Sequence, residues 1–265
     1  MKSNVFELRQ AAYAHQPGHN IFESISFDIA AGESVAVLGA NGSGKSTLLK
    51  ILCGLLHPQA GSLKVFGETI SEELLEDDAF SQRFHRRVGF IFQSSDVQLF
   101  NNRVEDEIAF GPSQLGLPER EVRRRTADML KMLDIEHLKE RPPYRLSGGE
   151  KRKVALAAVL ILNPEALILD EPGAGLDPKT QRWLTHLLLE LNRRGRTIVL
   201  STHNLEMAHT VTQRSLVLSE DHRLVFDGAT PQVLSDRALL SQVNLIDEFT
   251  HEHDEKSHIH LYTHG

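Results

Sequence analysis

Cysteine is almost absent from this chain: Cys53 is the one example in 265 residues. A single cysteine cannot close an internal disulfide, so the protein is expected to rely on a packed core in a reducing cytoplasm. Cys53 itself falls on an expected helix and reads as a small buried residue. Long apolar runs are missing too. The longest near the middle, Val154 to Leu162, is well short of the roughly 18 to 20 residues that span a bilayer, so no segment is expected to cross one. The start, MKSNVFELRQ, lacks the apolar core of a secretory signal, and the protein is expected to stay where it is made. Basic charge is in deficit, at a net −7, which argues against nucleic acid as the main partner. Arg120, Arg123, Arg124 and Arg125 share a segment with Glu119, Glu121 and Asp128, so they read as the solvated face of a helix. No internal repeat and no long heptad segment occurs.

What is present fits one sizeable α/β domain with a smaller lobe, in a chain too short for two full nucleotide-binding domains. Val5 to Tyr13 and Ile21 to Ile29 read as an antiparallel pair around a turn, and Ser62 to Ile70 as a second pair. Ser34–Leu38, Val88–Phe92, Leu167–Leu169 and Thr197–Leu200 are short apolar runs suited to buried parallel strands. Ser46–Leu56 has helical character, and Glu72–Asp78 reads as an acidic surface segment. From about residue 96 to 150 the pattern is helical, with Val122, Thr126, Met129, Leu130 and Leu133 on one face after Pro118. A further helix is marked by Asp177 as N-cap, Pro178 at its first position, Leu184, Leu187, Leu188 and Leu191 on one face, and Gly195 as terminator. Ser215–Leu218 and Leu224–Phe226 read as a closing hairpin. Strands alternating with helices predict a parallel sheet covered on both sides.

Four motifs stand in a fixed order on this frame: GANGSGKS from Gly39 to Ser46, Gln93, LSGGE from Leu146 to Glu150, and ALILDEP from Ala166 to Pro172. In the first, Gly39, Gly42 and Gly44 let backbone amides approach a polyphosphate, and the following helix aims its positive end at the same anion. Asn41, Ser43 and Thr47 belong to the same nucleotide contact. Lys45 is expected to reach the β and γ phosphates and Ser46 to ligate magnesium. Asp170 follows a run of apolar residues, which puts its carboxylate at the carboxyl edge of the sheet beside the phosphate loop, where it is expected to hold magnesium. Glu171 is then placed to act as general base on an attacking water. Ser147 and the amides of Gly148 and Gly149 make a second anion cradle at a helix start. One chain already supplies a full phosphate loop, so the second cradle is expected to serve ATP bound to another chain, in a head-to-tail dimer with two ATPs at the interface.

With these motifs the chain resembles the ABC ATPases over nearly its whole length. The resemblance implies a P-loop NTPase fold with a RecA-like parallel-sheet core, an N-terminal antiparallel β subdomain and an inserted helical subdomain at about 96–150. It places the ATPase domain at 1–240 and a C-terminal extension at 241–265. It also implies that Tyr13 stacks on adenine, that Gln93 senses magnesium and the γ phosphate, and that His203 in LSTHN contacts that phosphate. GAGLD, from Gly173 to Asp177, is similar to the loop that links the two sites, with Gly173 where many relatives carry serine or threonine.

The segment Ser94 to Leu117 resembles ATPase subunits of energy-coupling-factor transporters, which import vitamins or transition-metal ions. This implies a second ATPase subunit, a transmembrane coupling protein, a substrate-binding membrane protein, and a peripheral position on the cytoplasmic face of the membrane. Asp96, Glu105, Asp106 and Glu107 would offer charge to basic helices of the coupling protein. The last fifteen residues contain His251, His253, His258, His260 and His264 beside Glu252, Asp254 and Glu255, a composition suited to weak binding of nickel, cobalt or zinc. It tilts the expectation toward uptake of cobalt or nickel. Two alternatives stand beside it: an ATPase shared by several vitamin importers, and a soluble ABC protein outside transport. Against the second, Gln93 and Ser147 lie too close in sequence to admit a long inserted coiled coil.

Overall fold

A computed structural model describes residues 3–16, 19–251 and 258–262. Two sheets organise the chain. The first is antiparallel and contains β1 (Asn4–Gln16), β2 (His19–Ala30), β4 (Ala60–Val65) and β5 (Glu68–Ile70), in the order β2-β1-β4-β5. The second contains β3 (Ser34–Leu38), β6 (Val88–Ile91), β7 (Ala166–Leu169), β8 (Thr197–Ser201), β9 (Arg214–Leu218) and β10 (Leu224–Ala229), in the order β10-β9-β3-β8-β7-β6. Its strands are parallel except β10, which turns back antiparallel on β9.

Alternation along the core strands sorts their side chains between two apolar layers. Val35, Val37, Ala166, Ile168 and Val199 face one layer, with the antiparallel sheet, α1 (Lys45–Leu52) and α3 (Asp78–Arg87) packed on it. Ala36, Leu38, Leu167, Leu169, Ile198 and Leu200 face the other. That layer is closed by α4 (Val104–Gln114), α5 (Glu119–Met132), α6 (Gly148–Leu160), α7 (Pro178–Arg193) and α8 (Leu205–Val211). Strands buried on both faces leave no room for polar alternation, which is why they read as continuous apolar runs. Two short helices, α9 (Thr230–Ser235) and α10 (Arg237–Gln242), follow β10. A last antiparallel pair, β11 (Asp247–His251) and β12 (His258–Tyr262), was not expected from the sequence. The metal-binding expectation for the tail falls on side chains outside the described residues.

Two helices differ from expectation. α1 stops at Leu52 rather than running to Leu56, because Gly54 follows with φ 74° and turns the chain out. Cys53 caps it, is 1 % exposed, and its thiol is pushed up to about 12 by burial. The acidic segment is itself helical: α2 (Glu72–Glu76) is capped by Ser71, and α3, which was not expected, is capped by Asp77. Phe80 and Phe84 stack one turn apart on α3 and bury against the core, and in a run otherwise rich in Arg, His and Gln these two are its only apolar anchors.

The expected row of docking charges needs one correction. Glu107 is 3 % exposed, and its Oε2 accepts from the Phe100 N–H at 3.0 Å and the Asn101 N–H at 2.7 Å. It holds the loop before α4 and presents no charge outward. Glu105 pairs with Arg103 at 2.9 Å and Asp96 with Lys151 at 2.6 Å. Among the described residues no helix is long and apolar enough to cross a membrane.

Candidate functional site

β3 delivers the chain at Gly39, where no side chain fits: a Cβ would lie 2.5 Å from the Leu218 carbonyl oxygen and 2.6 Å from the Ser43 hydroxyl. The loop enters α1 through Gly44, whose φ of 100° suits glycine and which offers no capping side chain. The first-turn amides of α1 are therefore left for an external anion. Ser43 Oγ is buried in the same loop without a partner. Asn41 and Gly42 are exposed at the loop tip, and Ser46 and Thr47 sit on the first turn of α1.

Lys45 is 6 % exposed and folds back on its own loop, its Nζ donating to the carbonyls of Gly39 at 2.8 Å and Ala40 at 3.0 Å. Nζ lies 3.7 Å from Glu171 Oε1, too far for a hydrogen bond. Burial pushes the ammonium below its ordinary value, and Glu171 and Asp170 oppose that shift. Two incomplete pairings, one on Lys45 and one on Glu171, thus face each other where both side chains are buried.

The adjacent strands β7 and β8 complete this pocket. Asp170 is 4 % exposed and its Oδ1 accepts from the Ser201 hydroxyl at 2.6 Å. The Ser201 oxygen in turn accepts the Glu171 N–H at 2.9 Å. Glu171 adopts φ 42°, a left-handed conformation that non-glycine residues adopt at a cost, and such outliers cluster where function requires a fixed side chain. Its Oε1 has no hydrogen-bond partner, and its Oε2 lies 3.0 Å from His203 Nδ1. Lys45, Asp170, Glu171 and His203 are therefore brought together as the sequence motifs imply.

Ser201 was not singled out from the sequence, although it stands two residues before His203 in the same LSTHN run. Arg152 was missed as well. It is 3 % exposed on α6, and its guanidinium donates to the carbonyls of Phe92 at 2.7 Å and Gln93 at 2.5 Å. It thereby fixes the turn that follows β6. No local signal marks an arginine for that task.

The side chain of Gln93 is exposed two residues beyond β6. Tyr13 lies on β1, where its hydroxyl is 3.3 Å from His15 Nδ1. Ser147 caps α6 in a reciprocal arrangement with Glu150, whose Oε2 accepts from the Ser147 N–H at 2.8 Å. Ser147 and Gly149 line a cavity of about 460 Å³ with Trp183, Asp177 and Thr180, and no residue of Gly39–Ser46 reaches it. The cavity beside the second cradle is thus not lined by the phosphate loop of its own chain. At Gly173 a Cβ would meet only the flexible end of Met207, its methyl at 2.7 Å, so nothing in the backbone requires glycine there.

The donors fit magnesium better than a softer ion. Ser46 offers a hydroxyl and Asp170 the carboxylate oxygen that Ser201 leaves unused, and among the described residues no three His, Cys, Asp or Glu side chains form a metal cluster. A hard cation that keeps waters and takes phosphate oxygens needs no more than that.

The profile of the family described as ABC transporter matches residues 22–174. The chain is 43 % identical to the nickel import ATP-binding protein NikO of Rhodobacter capsulatus, over 92 % of this chain and 96 % of that one. It is 39 % identical to the energy-coupling factor transporter ATP-binding protein EcfA of Methanothermobacter thermautotrophicus, over 91 % of this chain and 76 % of the other. Among solved structures, cbiO1 from Clostridium perfringens, part of the ABC transporter complex cbiONQ, superposes with a TM-score of 0.78 at 33 % identity, covering 92 % of this chain and 96 % of that one.

Proposed function

From the premise that the chain belongs to the ABC transporter family, as an ATP-hydrolysing subunit of the energy-coupling-factor type, we propose that it works as a head-to-tail dimer on the cytoplasmic face of a membrane and drives uptake of cobalt or nickel. The observation that carries the dimer is the lining of the cavity beside the second anion cradle. Ser147 and Gly149 line a cavity that no residue of the phosphate loop of the same chain lines, so each ATP would be completed by a second chain.

In this reading the amides at the start of α1 and the Lys45 ammonium hold the polyphosphate, and Tyr13 stacks on adenine. Ser46 and Asp170 hold magnesium, with Gln93 contacting it and the γ phosphate. Magnesium, when bound, neutralises charge developing on the phosphate oxygens. Glu171 orients water and accepts its proton, and His203 contacts the γ phosphate. The arrival of phosphate draws Lys45 away from its loop carbonyls and leaves Glu171 as the base. Glu171→Gln should lower turnover by about 10² or more while ATP holds the protein as a dimer. Sedimentation with ATP and a phosphate-release assay check this; turnover at the wild-type rate refutes the base assignment.

An apolar groove supports a membrane partner. Leu55, Phe90, Phe92 and Leu162 line it between α1, β6 and α6, with His85 at its side. Val97 and Phe100 are exposed nearby in sequence at 72 % and 65 %. Short helices of a coupling protein would cover such a surface. The likeness to NikO and the histidine-rich tail favour nickel or cobalt, and the likeness to EcfA favours the second reading, an ATPase shared among vitamin importers. Gentle purification from native membranes separates them. One substrate-binding membrane protein beside one coupling protein is expected, and several different substrate-binding partners would overturn the dedicated metal importer.

A further inference from the structure

We infer that Met207 is a positioning residue for Glu171 and His203, acting through the loop at Gly173 and not through the nucleotide. The inference rests on the reading of Glu171 as the base and of His203 as the contact to the γ phosphate. Two segments meet here: 171–177, which follows β7, and 203–207, which follows β8 and opens α8. Their first contact is between Glu171 Oε2 and His203 Nδ1, at 3.0 Å. Their second lies two residues further along one segment and four along the other. The Met207 methyl and Sδ stand 2.7 Å and 3.4 Å from where a Gly173 Cβ would be, so the thioether closes over the bare glycine. Met207 is 5 % exposed and packs in the same apolar layer as Leu184 and Leu188 of α7.

One contact between two segments fixes a distance, whereas two fix an orientation. The segment that carries His203 is stiff between its two contacts. Thr202 Oγ1 accepts the Asn204 N–H at 3.0 Å, and Asn204 Oδ1 accepts the Met207 N–H at 2.9 Å, so His203 and Met207 flank one capped turn. The facing loop is tied at Gly173, whose carbonyl accepts from Gln181 Nε2 at 3.1 Å, while the Glu171 carbonyl accepts the Ala174 N–H at 3.1 Å. Glu171 opens this loop at φ 42°, a conformation that persists where its surroundings over-determine it. Gly173 has no side chain with which to hold the loop on α8, and Met207 supplies one from the other side. Beyond Met207 lies a cavity of about 340 Å³ between α7 and α8, which gives the thioether room to move away if it is pushed.

The test uses the ATPase rate, MgADP affinity and melting temperature of the purified full chain. Met207→Leu keeps the core volume and loses the terminal methyl that reaches Gly173. Its kcat should fall about 3- to 10-fold, because small misplacements of reacting groups cost rate steeply, while MgADP affinity and melting temperature stay near wild type. Gly173→Ala alone pushes the methyl toward the cavity and should also slow turnover. Combined with Met207→Leu, it puts a Cβ into the vacated space, so the double variant should turn over faster than either single one, a coupling of sign opposite to additive losses. A role in packing alone would lower the melting temperature and leave kcat of the folded protein unchanged. Wild-type kcat in Met207→Leu, a double variant no faster than the single ones, or a loss of MgADP affinity equal to the loss in kcat each overturns the inference. Glu171→Gln tells the two readings apart: an inactive Glu171→Gln beside a full-speed Met207→Leu defeats the inference alone, and a full-speed Glu171→Gln defeats the base reading and the inference with it.

Discussion

Ser201 shows how one small side chain sets two larger ones. Its hydroxyl donates to Asp170 at 2.6 Å and accepts from the Glu171 backbone at 2.9 Å, in a position with no solvent exposure. Ser201→Ala leaves the Glu171 N–H without a partner at a strained φ, at a cost of about 1–3 kcal/mol, and frees the Asp170 carboxylate to rotate. Turnover should fall by roughly 10-fold, the magnesium concentration needed for half-maximal rate should rise, and Ser201→Thr should retain most activity. A magnesium titration of the ATPase rate checks all three. Asp170 and Glu171 were legible in the sequence because an apolar strand delivers them. Ser201 was not, because its partners are 30 and 31 residues away and a serine inside LSTHN carries no mark of its contacts.

Elements were legible where their ends are written locally. α7 has Asp177 accepting from the amides of Lys179 and Thr180, Pro178 at its first position and Gly195 beyond its last turn, all within the helix and its neighbours. α5 behaves as its charges imply: Arg124 pairs with Glu121 and Asp128, and Arg125 with Glu121, whose carboxyl is held down to about 2 by these hydrogen bonds. Exposed pairs of this kind contribute little to stability. The start of α4 works differently, since Glu107 closes the loop that precedes it. Glu107→Ala should lower stability by about 1–3 kcal/mol through two abandoned amides, whereas Glu107→Gln keeps a carbonyl acceptor and should lose less. Calorimetric melting of both variants tests this, and equal losses would mean that the carboxylate charge is what matters. The sequence pattern had put Glu107 outside because acidic residues in a first helical turn usually face solvent.

At the scale of the molecule, the phosphate loop and the Ser147 cradle belong to one chain, and the cavity beside Ser147 is not lined by that loop. If each ATP is completed by a second chain, Lys45→Ala and Ser147→Arg chains should each be nearly inactive alone. Mixed, they form heterodimers in which one site has both intact halves, so up to about a quarter of the wild-type rate should return. No recovery on mixing would place the whole site within one chain. The sequence by itself determined the family, the buried parallel strands, and the order of phosphate loop, second cradle and paired carboxylates, because each is encoded by residues adjacent along the chain. Only the tertiary structure decided which side chains share a pocket. Ser201 meets Asp170 across 31 residues, Gln59 clamps Ala14 across 45, and Arg152 holds Gln93 across 59. Such contacts depend on packing between sheets and helices, and packing at those separations leaves no periodic or local trace in the amino-acid order.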